Sequence, residues 1–138
     1  MKIVVSACLL GENCKYNGGN NFSPKLQSLL EGREVIPVCP EVLAGLGIPR
    51  TPIEIVGGVV YDRDGNCVDV PLRKAVKTIL AQLAGEDIEY AVLKSRSPTC
   101  GVKQVYDGTF SGKLVDGMGI LAQALRDAGY RVIDSEDL

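Results

Sequence analysis

Apolar positions along the chain alternate between a strand period and a helix period. The β-branched run Ile3-Val4-Val5 reads Lys2 to Ser6 as a buried strand, followed by a polar, Gly- and Asn-rich loop over 11–21. Ser23 then caps a helix with Pro24 at its first position, Leu26, Leu29 and Leu30 on one face, and Gly32 as its stop. Glu34 to Val38 reads as a second strand, left through Cys39-Pro40-Glu41 into a loop or single helical turn ending near Gly45. The stretch from Pro49 to Pro52 must be irregular. Segments 55–62 and 66–70 flank Asp64-Gly65, a pair suited to a hairpin turn of positive φ. A second helix has Asp69 as cap candidate, Pro71 in its first turn, Val76, Ile79, Leu80 and Leu83 at helical spacing, and Gly85 at its end. Ile88 to Leu93 predicts a third core strand, with 94–108 as a long loop. A third helix opens near Asp116, presents Ile120, Leu121, Ala124, Leu125 and Ala128, and stops at Gly129 before a last strand over 131–133.

Strand and helix alternate through most of the chain, which predicts a three-layer α/β sandwich around a mostly parallel, Rossmann-like sheet. The segment around Asp64-Gly65 reads as a β-hairpin insertion or edge element. A length of 138 residues with 46% hydrophobic positions suits one domain, residues 1–138, with a real core.

Charge and composition narrow the chemistry. Fifteen Lys and Arg against 17 Asp and Glu give a net charge of -2, with no basic stripe, and aromatic residues are only 5%. Both facts argue against general nucleic-acid binding. Histidine is absent, which excludes Ser-His and Cys-His nucleophile pairs, HExxH zinc sites and imidazole acid/base work. Asn17-Gly18-Gly19 and Gly57-Gly58 bend the backbone without forming a GxGxxG or Walker pattern.

Val5-Ser6-Ala7-Cys8 has the look of a lipoprotein cleavage box, but only Ile3-Val4-Val5 precedes it, and a secretory core needs about 7 to 15 apolar residues. No stretch reaches the roughly 18 apolar residues of a membrane span, so the expectation is a cytoplasmic protein with no membrane partner. In that compartment thiols stay reduced, and five cysteines favour metal ligation or thiol chemistry over disulfides.

Cys8, Cys39 and Cys100 follow the first, second and third core strands. In an open parallel sheet the carboxyl ends converge on one edge, where ligand crevices form, so three distant thiols are expected at one site. Cys14 lies in the loop after Cys8, and Cys67 is assigned to packing in the second hairpin arm. Ordinary buried cysteines remain an open alternative, as does a closed zinc site, which would need all four clustered thiols. Three thiolates from three strand ends suit an iron-sulfur cluster with one open iron.

The stretches Ser6-Ala7-Cys8-Leu9-Leu10-Gly11, Cys14-Lys15-Tyr16-Asn17-Gly18, Pro37-Val38-Cys39-Pro40-Glu41 through Gly45 to Pro49-Arg50, Leu93-Lys94, and Ser97-Pro98-Thr99-Cys100-Gly101 resemble, in order, the Domain of Unknown Function 523 family, which includes thiouracil desulfidase. The resemblance implies an oxygen-sensitive [4Fe-4S] cluster on Cys8, Cys39 and Cys100 with one open iron. It also implies a non-redox reaction that replaces the thiocarbonyl sulfur of a small thiolated pyrimidine by oxygen. Lys15 and Asn17 stand where the family more often has Arg and Asp, and Thr99 where Ser is usual. Some relatives carry a further C-terminal domain and act on thiolated RNA.

In that chemistry a soft thiocarbonyl sulfur meets the open iron, its carbon becomes electrophilic, and water attacks. Without histidine the base must be a carboxylate or a relayed hydroxyl, and Glu41, two residues after Cys39, is the first candidate. Its competing role is a helix N-terminal carboxylate. Ser97 is expected to hold water or a substrate oxygen, with a plain Ser-Pro turn as the alternative. Lys15, Arg50, Lys94 and Arg96 fall in loops on the same edge and are candidates for a nucleotide phosphate, or else solvated surface charge. The competing function is a non-catalytic zinc- or iron-sulfur-binding structural or sensor protein.

Overall fold

Ile3, Val4 and Val5 are wholly buried because their strand, β1 (Lys2–Ser6), has neighbours on both edges and packed layers on both faces. The computed structural model describes all 138 residues. β1 pairs in parallel with β2 (Glu34–Val38), Val4 beside Ile36, and with β5 (Ile88–Leu93), Val4 beside Ala91. β5 in turn pairs in parallel with β8 (Val132–Asp134), giving a sheet of order β2-β1-β5-β8. Side chains alternate between the faces. Ile3, Val5 and Val92 meet Leu26 and Leu30 of α1 (Pro24–Leu30) on one side. Val4, Ala91 and Leu93 meet Leu72, Val76 and Ile79 of α3 (Asp69–Leu83) and Leu121 and Leu125 of α4 (Ile120–Asp127) on the other. The result is a three-layer α/β sandwich.

Local chemistry explains most of the helix boundaries. Ser23 Oγ accepts from Leu26 N at 3.2 Å, Pro24 holds the first helical position, and Gly32 ends the segment at φ 73°. Leu29, expected on the buried face, is exposed. α2 (Pro40–Leu43) is a single turn that starts directly after Cys39.

Three expectations about the insertion and the helix after it change. The hairpin is β3 (Ile53–Val56) with β4 (Val59–Asp62), and its turn is Gly57-Gly58, both at positive φ, as a two-residue hairpin turn requires. Asp64-Gly65 turns the chain as well, but Asp62 captures Asp64 N and Asn66 N at 2.9 Å each, and only the Tyr61–Cys67 bridge follows. Cys67 is exposed and not a packing residue. Asp69 is the first residue of α3 and does not cap it: its carboxylate accepts from Val60 N at 3.1 Å and pairs with Arg73 at 2.9 Å, fastening the hairpin to the helix.

The loop expected over 94–108 contains β6 (Gln104–Tyr106), paired antiparallel with β7 (Leu114–Asp116). Asp116 therefore ends a strand, and α4 opens after Gly119. Its leading N–H groups are satisfied by the preceding loop: Ile120 N donates to Pro98 O at 3.0 Å and Leu121 N to Thr99 O at 2.8 Å. No helix is long and apolar enough to cross a membrane.

The chain leaves β1 for β2 on one side and later returns to β5 on the other. The carboxyl ends of β1 and β5 are thus the switch point where an open parallel sheet leaves a crevice.

Candidate functional site

A cleft of about 510 Å³ lies at this point. Cys8, Cys14, Cys39 and Cys100 line it together with Glu41, Ser97, Lys15, Arg50, Lys94 and Arg96, so the fold brings every one of these predicted residues to one place. Cys67 is not among them. Ser6, the last residue of β1 and 2% exposed, accepts from Lys94 N at 2.9 Å and ties the two central strand ends together.

Each thiol is fixed by its loop. Cys8 sits in a 3₁₀ turn, Ala7–Leu10, closed by Gly11 in the left-handed conformation. Asn21 binds this turn twice, donating its backbone N–H to Cys8 O at 2.9 Å and its side-chain Nδ2 to Cys8 Sγ at 3.4 Å. Cys39 directly follows β2 and is the N-cap residue of the α2 turn. Cys100, 5% exposed, is held by Ser97, whose Oγ accepts from Thr99 N at 3.2 Å and Cys100 N at 3.1 Å.

Burial is the main influence on Cys8, Cys14 and Cys100. It raises Cys8 above the ordinary cysteine range despite the Asn21 hydrogen bond and the nearby Lys94 charge. Cys14 is pushed up to about 12, first by burial and then by Cys39 and Cys8, and Cys100 to about 12, again by burial first. Cys8 and Cys39 both act on Cys14, so Cys14 belongs to the same group of thiols. Any metal held here must displace protons from them. No three Cys, Asp or Glu side chains stand close enough to grip a single metal ion.

Glu41 reaches the cleft from α2. Burial pushes its carboxyl above the usual carboxylate range, opposed by Arg50 and then by Thr99. Arg50 Nε stands 3.7 Å from Glu41 Oε1, and Thr99 Oγ1 donates to Glu41 Oε2 at 3.4 Å. Ser97 Oγ lies 3.0 Å from Thr99 Oγ1, which makes a chain of hydroxyls from the Cys100 loop to the carboxylate.

Three of the four predicted cations, Arg50, Lys94 and Arg96, differ in availability. Arg50 is 6% exposed and spends its remaining donors on Cys14 O at 2.7 Å and Gly47 O at 3.0 Å, so it braces the site instead of offering a free charge. Lys94 binds Ser95 through both the carbonyl and the hydroxyl at 3.1 Å, and burial followed by the Arg96 charge lowers its pKa. Arg96 pairs with Glu136 at 2.9 Å near the surface.

Sequence reasoning missed Ser6, Asn21 and Thr99 as site residues, and it missed Arg63, Tyr106 and Phe110 altogether. The last two come from the β6–β7 hairpin. The Asp107-Gly108 pair between Val105-Tyr106 and Leu114-Val115 was the signal for it.

The model of the 2-thiouracil desulfurase family matches residues 3–137. The uncharacterized protein YbbK of Bacillus subtilis (strain 168) is 37% identical over 147 aligned residues, covering 99% of this chain and 97% of that protein. Among solved structures, the [4Fe-4S]-dependent thiouracil desulfidase TudS superposes with a TM-score of 0.91 at 36% identity, covering 99% of this chain and 92% of that one. The chain belongs to the 2-thiouracil desulfurase family of enzymes.

Proposed function

We propose that this protein catalyses the [4Fe-4S]-dependent, non-redox desulfuration of a small thiolated pyrimidine, thiouracil or a thiouridine nucleotide, within one domain spanning 1–138. The balance is a thiocarbonyl plus water giving a carbonyl plus hydrogen sulfide, with no electrons exchanged. The observation that carries this reading is the meeting of Cys8, Cys39 and Cys100 in one cleft beside Glu41. Family membership and the dependence stated for TudS support it.

The donor set fits the cluster. A single zinc ion holds its four thiolates within one tetrahedron, and the side chains here do not converge so closely. A cluster takes its thiolates on separate irons, which suits ligands from three strand ends in a chain without histidine. Cys8, Cys39 and Cys100 are assigned as the three ligands. When bound, a cluster with one iron free of protein thiolate supplies a soft Lewis acid suited to thiocarbonyl sulfur.

The remaining work falls to the chain. Glu41 takes a proton from the attacking water and returns one to the departing sulfur; burial raises its pKa toward the range where one carboxyl does both. Ser97 and Thr99 orient that carboxylate and the Cys100 loop. Lys15, Lys94 and Arg96 offer positive charge to a nucleotide phosphate, while Arg50 serves Glu41. Reduced thiols are required throughout, which favours the cytoplasm.

Anaerobic reconstitution tests the proposal. The loaded protein is expected to contain iron and sulfide in equal amounts and to convert 2-thiouracil to uracil with release of sulfide. Iron-loaded protein that releases no sulfide from 2-thiouracil or thiouridine monophosphate would overturn it.

A further inference from the structure

Only two non-glycine residues have left-handed backbone, Arg96 at φ 63° and Phe110 at φ 56°, and both line the cleft. For a bulky residue such a conformation is an outlier that persists only where the surroundings enforce it, and such residues gather at ligand sites. The enforcing group at Phe110 is Glu54. This β3 carboxylate is 8% exposed, and its Oε1 accepts from Gly108 N at 2.9 Å and from Phe110 N at 3.1 Å. Gly108 allows the close approach: a Cβ there would stand 2.6 Å from Ile55 O. A buried carboxylate and an obligatory glycine thus clamp the hairpin turn onto β3. Gly108 and Gly112 take left-handed backbone without strain on either side of Phe110, so the turn itself has no need of a ring at that position.

We propose that Phe110 is a specificity-determining residue that stacks on the planar ring of the substrate, and that Glu54 is its positioning residue. This rests on reading the cleft as a pyrimidine site. A pyrimidine carries its polar groups on its edges and leaves two flat faces, so a ring stacked on one face fixes the plane in which its edge meets the thiols. Tyr16, Tyr106 and Phe110 are the aromatic residues of the cleft, and Phe110 alone has no polar group, only a ring, to offer.

The test uses anaerobically reconstituted protein, with equilibrium binding of uracil, steady-state turnover of 2-thiouracil, and the cluster absorption spectrum. Phe110→Ala is expected to weaken uracil binding and raise KM by about 5- to 150-fold, the range of base-aromatic stacking, with kcat and the spectrum little changed. Phe110→Tyr keeps the ring and restores both values. Glu54→Gln keeps an oxygen acceptor for the two N–H groups and stays near the parent, whereas Glu54→Leu raises KM as Phe110→Ala does. The double variant Glu54→Leu/Phe110→Ala is expected to be no worse than Phe110→Ala alone. Parent-like uracil affinity in Phe110→Ala would overturn the assignment, whatever the Glu54 variants do. A parent that binds uracil, loses it on Phe110→Ala and yet releases no sulfide would sink the desulfuration reading and leave this one standing. A parent that binds no pyrimidine would sink both.

Discussion

Arg50 places its Nε 3.7 Å from Oε1 of Glu41 inside the cleft wall, with the two side chains 6% and 17% exposed. The same guanidinium donates to Cys14 O, so one cation joins the carboxylate to the loop that carries Cys14. Removing one partner of a buried pair leaves an uncompensated charge, which costs on the order of 3 kcal/mol. Arg50→Met is expected to lose about that much in urea unfolding, and Glu41→Gln added to it should recover most of the loss. The positive charge favours ionised Glu41, so without it the Glu41 pKa rises further. The acid-side limb of the kcat/KM profile should then move to higher pH. An unmoved limb would show that Glu41 is not the base.

Glu41→Gln keeps shape and hydrogen bonding but removes basicity. Turnover of 2-thiouracil is expected to fall by about 10² to 10⁴-fold while iron and sulfide contents stay at the parent level. Normal turnover would pass the role to the Ser97-Thr99 hydroxyl chain. Ser97→Ala acts differently, because it strips the acceptor from Thr99 N and Cys100 N. It should lower stability by about 1–3 kcal/mol and turnover by at least the roughly fivefold that 1 kcal/mol represents.

The thiol assignments separate by position in the fold. Cys8→Ala, Cys39→Ala and Cys100→Ala are each expected to abolish the cluster absorption after reconstitution, since each removes one of the three proposed ligands from the cleft. Cys67→Ala should leave it unchanged, being exposed and outside the cleft. Full occupancy in Cys100→Ala would contradict the ligand set. Cys14→Ser, beside Cys39 and Cys8, should keep the cluster, and its spectrum should still respond to added sulfide.

The sequence already displayed the sheet and the strand ends, because Ile3-Val4-Val5 and Ala91-Val92-Leu93 are continuous apolar runs that only a sheet covered on both faces can bury. From there the gathering of Cys8, Cys39 and Cys100 followed from topology. The errors lie where two turn signals compete or where contacts are distant in sequence. Asp64-Gly65 read as the hairpin turn and Gly57-Gly58 only as a bend, but the paired strands meet at Gly57-Gly58, while the Asp62 carboxylate, invisible to any pattern, holds the Asp64-Gly65 turn and a single bridge follows it. Asp69 had the chemistry of a cap, but Val60 N claimed it. Arg50 looked like a free cation until the fold placed Cys14 O and Glu41 around it. Phe110 was hidden because its role depends on Glu54, far away in the chain.

Gly119 links the fold most directly to the Cys100 thiol. A Cβ at this position would stand 2.4 Å from Thr99 C, 2.5 Å from Thr99 O and 2.7 Å from Cys100 N. All three are backbone atoms, so no side-chain rotation relieves the clash. The loop is moreover hung on the first turn of α4, with Ile120 N on Pro98 O and both Leu121 N and Ala122 N on Thr99 O. Gly119→Ala must therefore push the Cys100 loop away from the helix and weaken these bonds together. Overpacking of this kind costs about 1–3 kcal/mol, or roughly 3–10 °C in Tm for a chain of this size. Because the displaced atoms include Cys100 N, cluster retention should fall along with stability. Gly85→Ala is the control, since Gly85 has nothing within 4 Å of its added Cβ and should leave iron content unchanged. Scanning calorimetry and iron content measured on the same samples check both halves. A Gly119→Ala protein with parent iron content and a lowered Tm would mean that the Cys100 loop can shift without consequence for the cluster, and would overturn the coupling between this backbone contact and cluster retention.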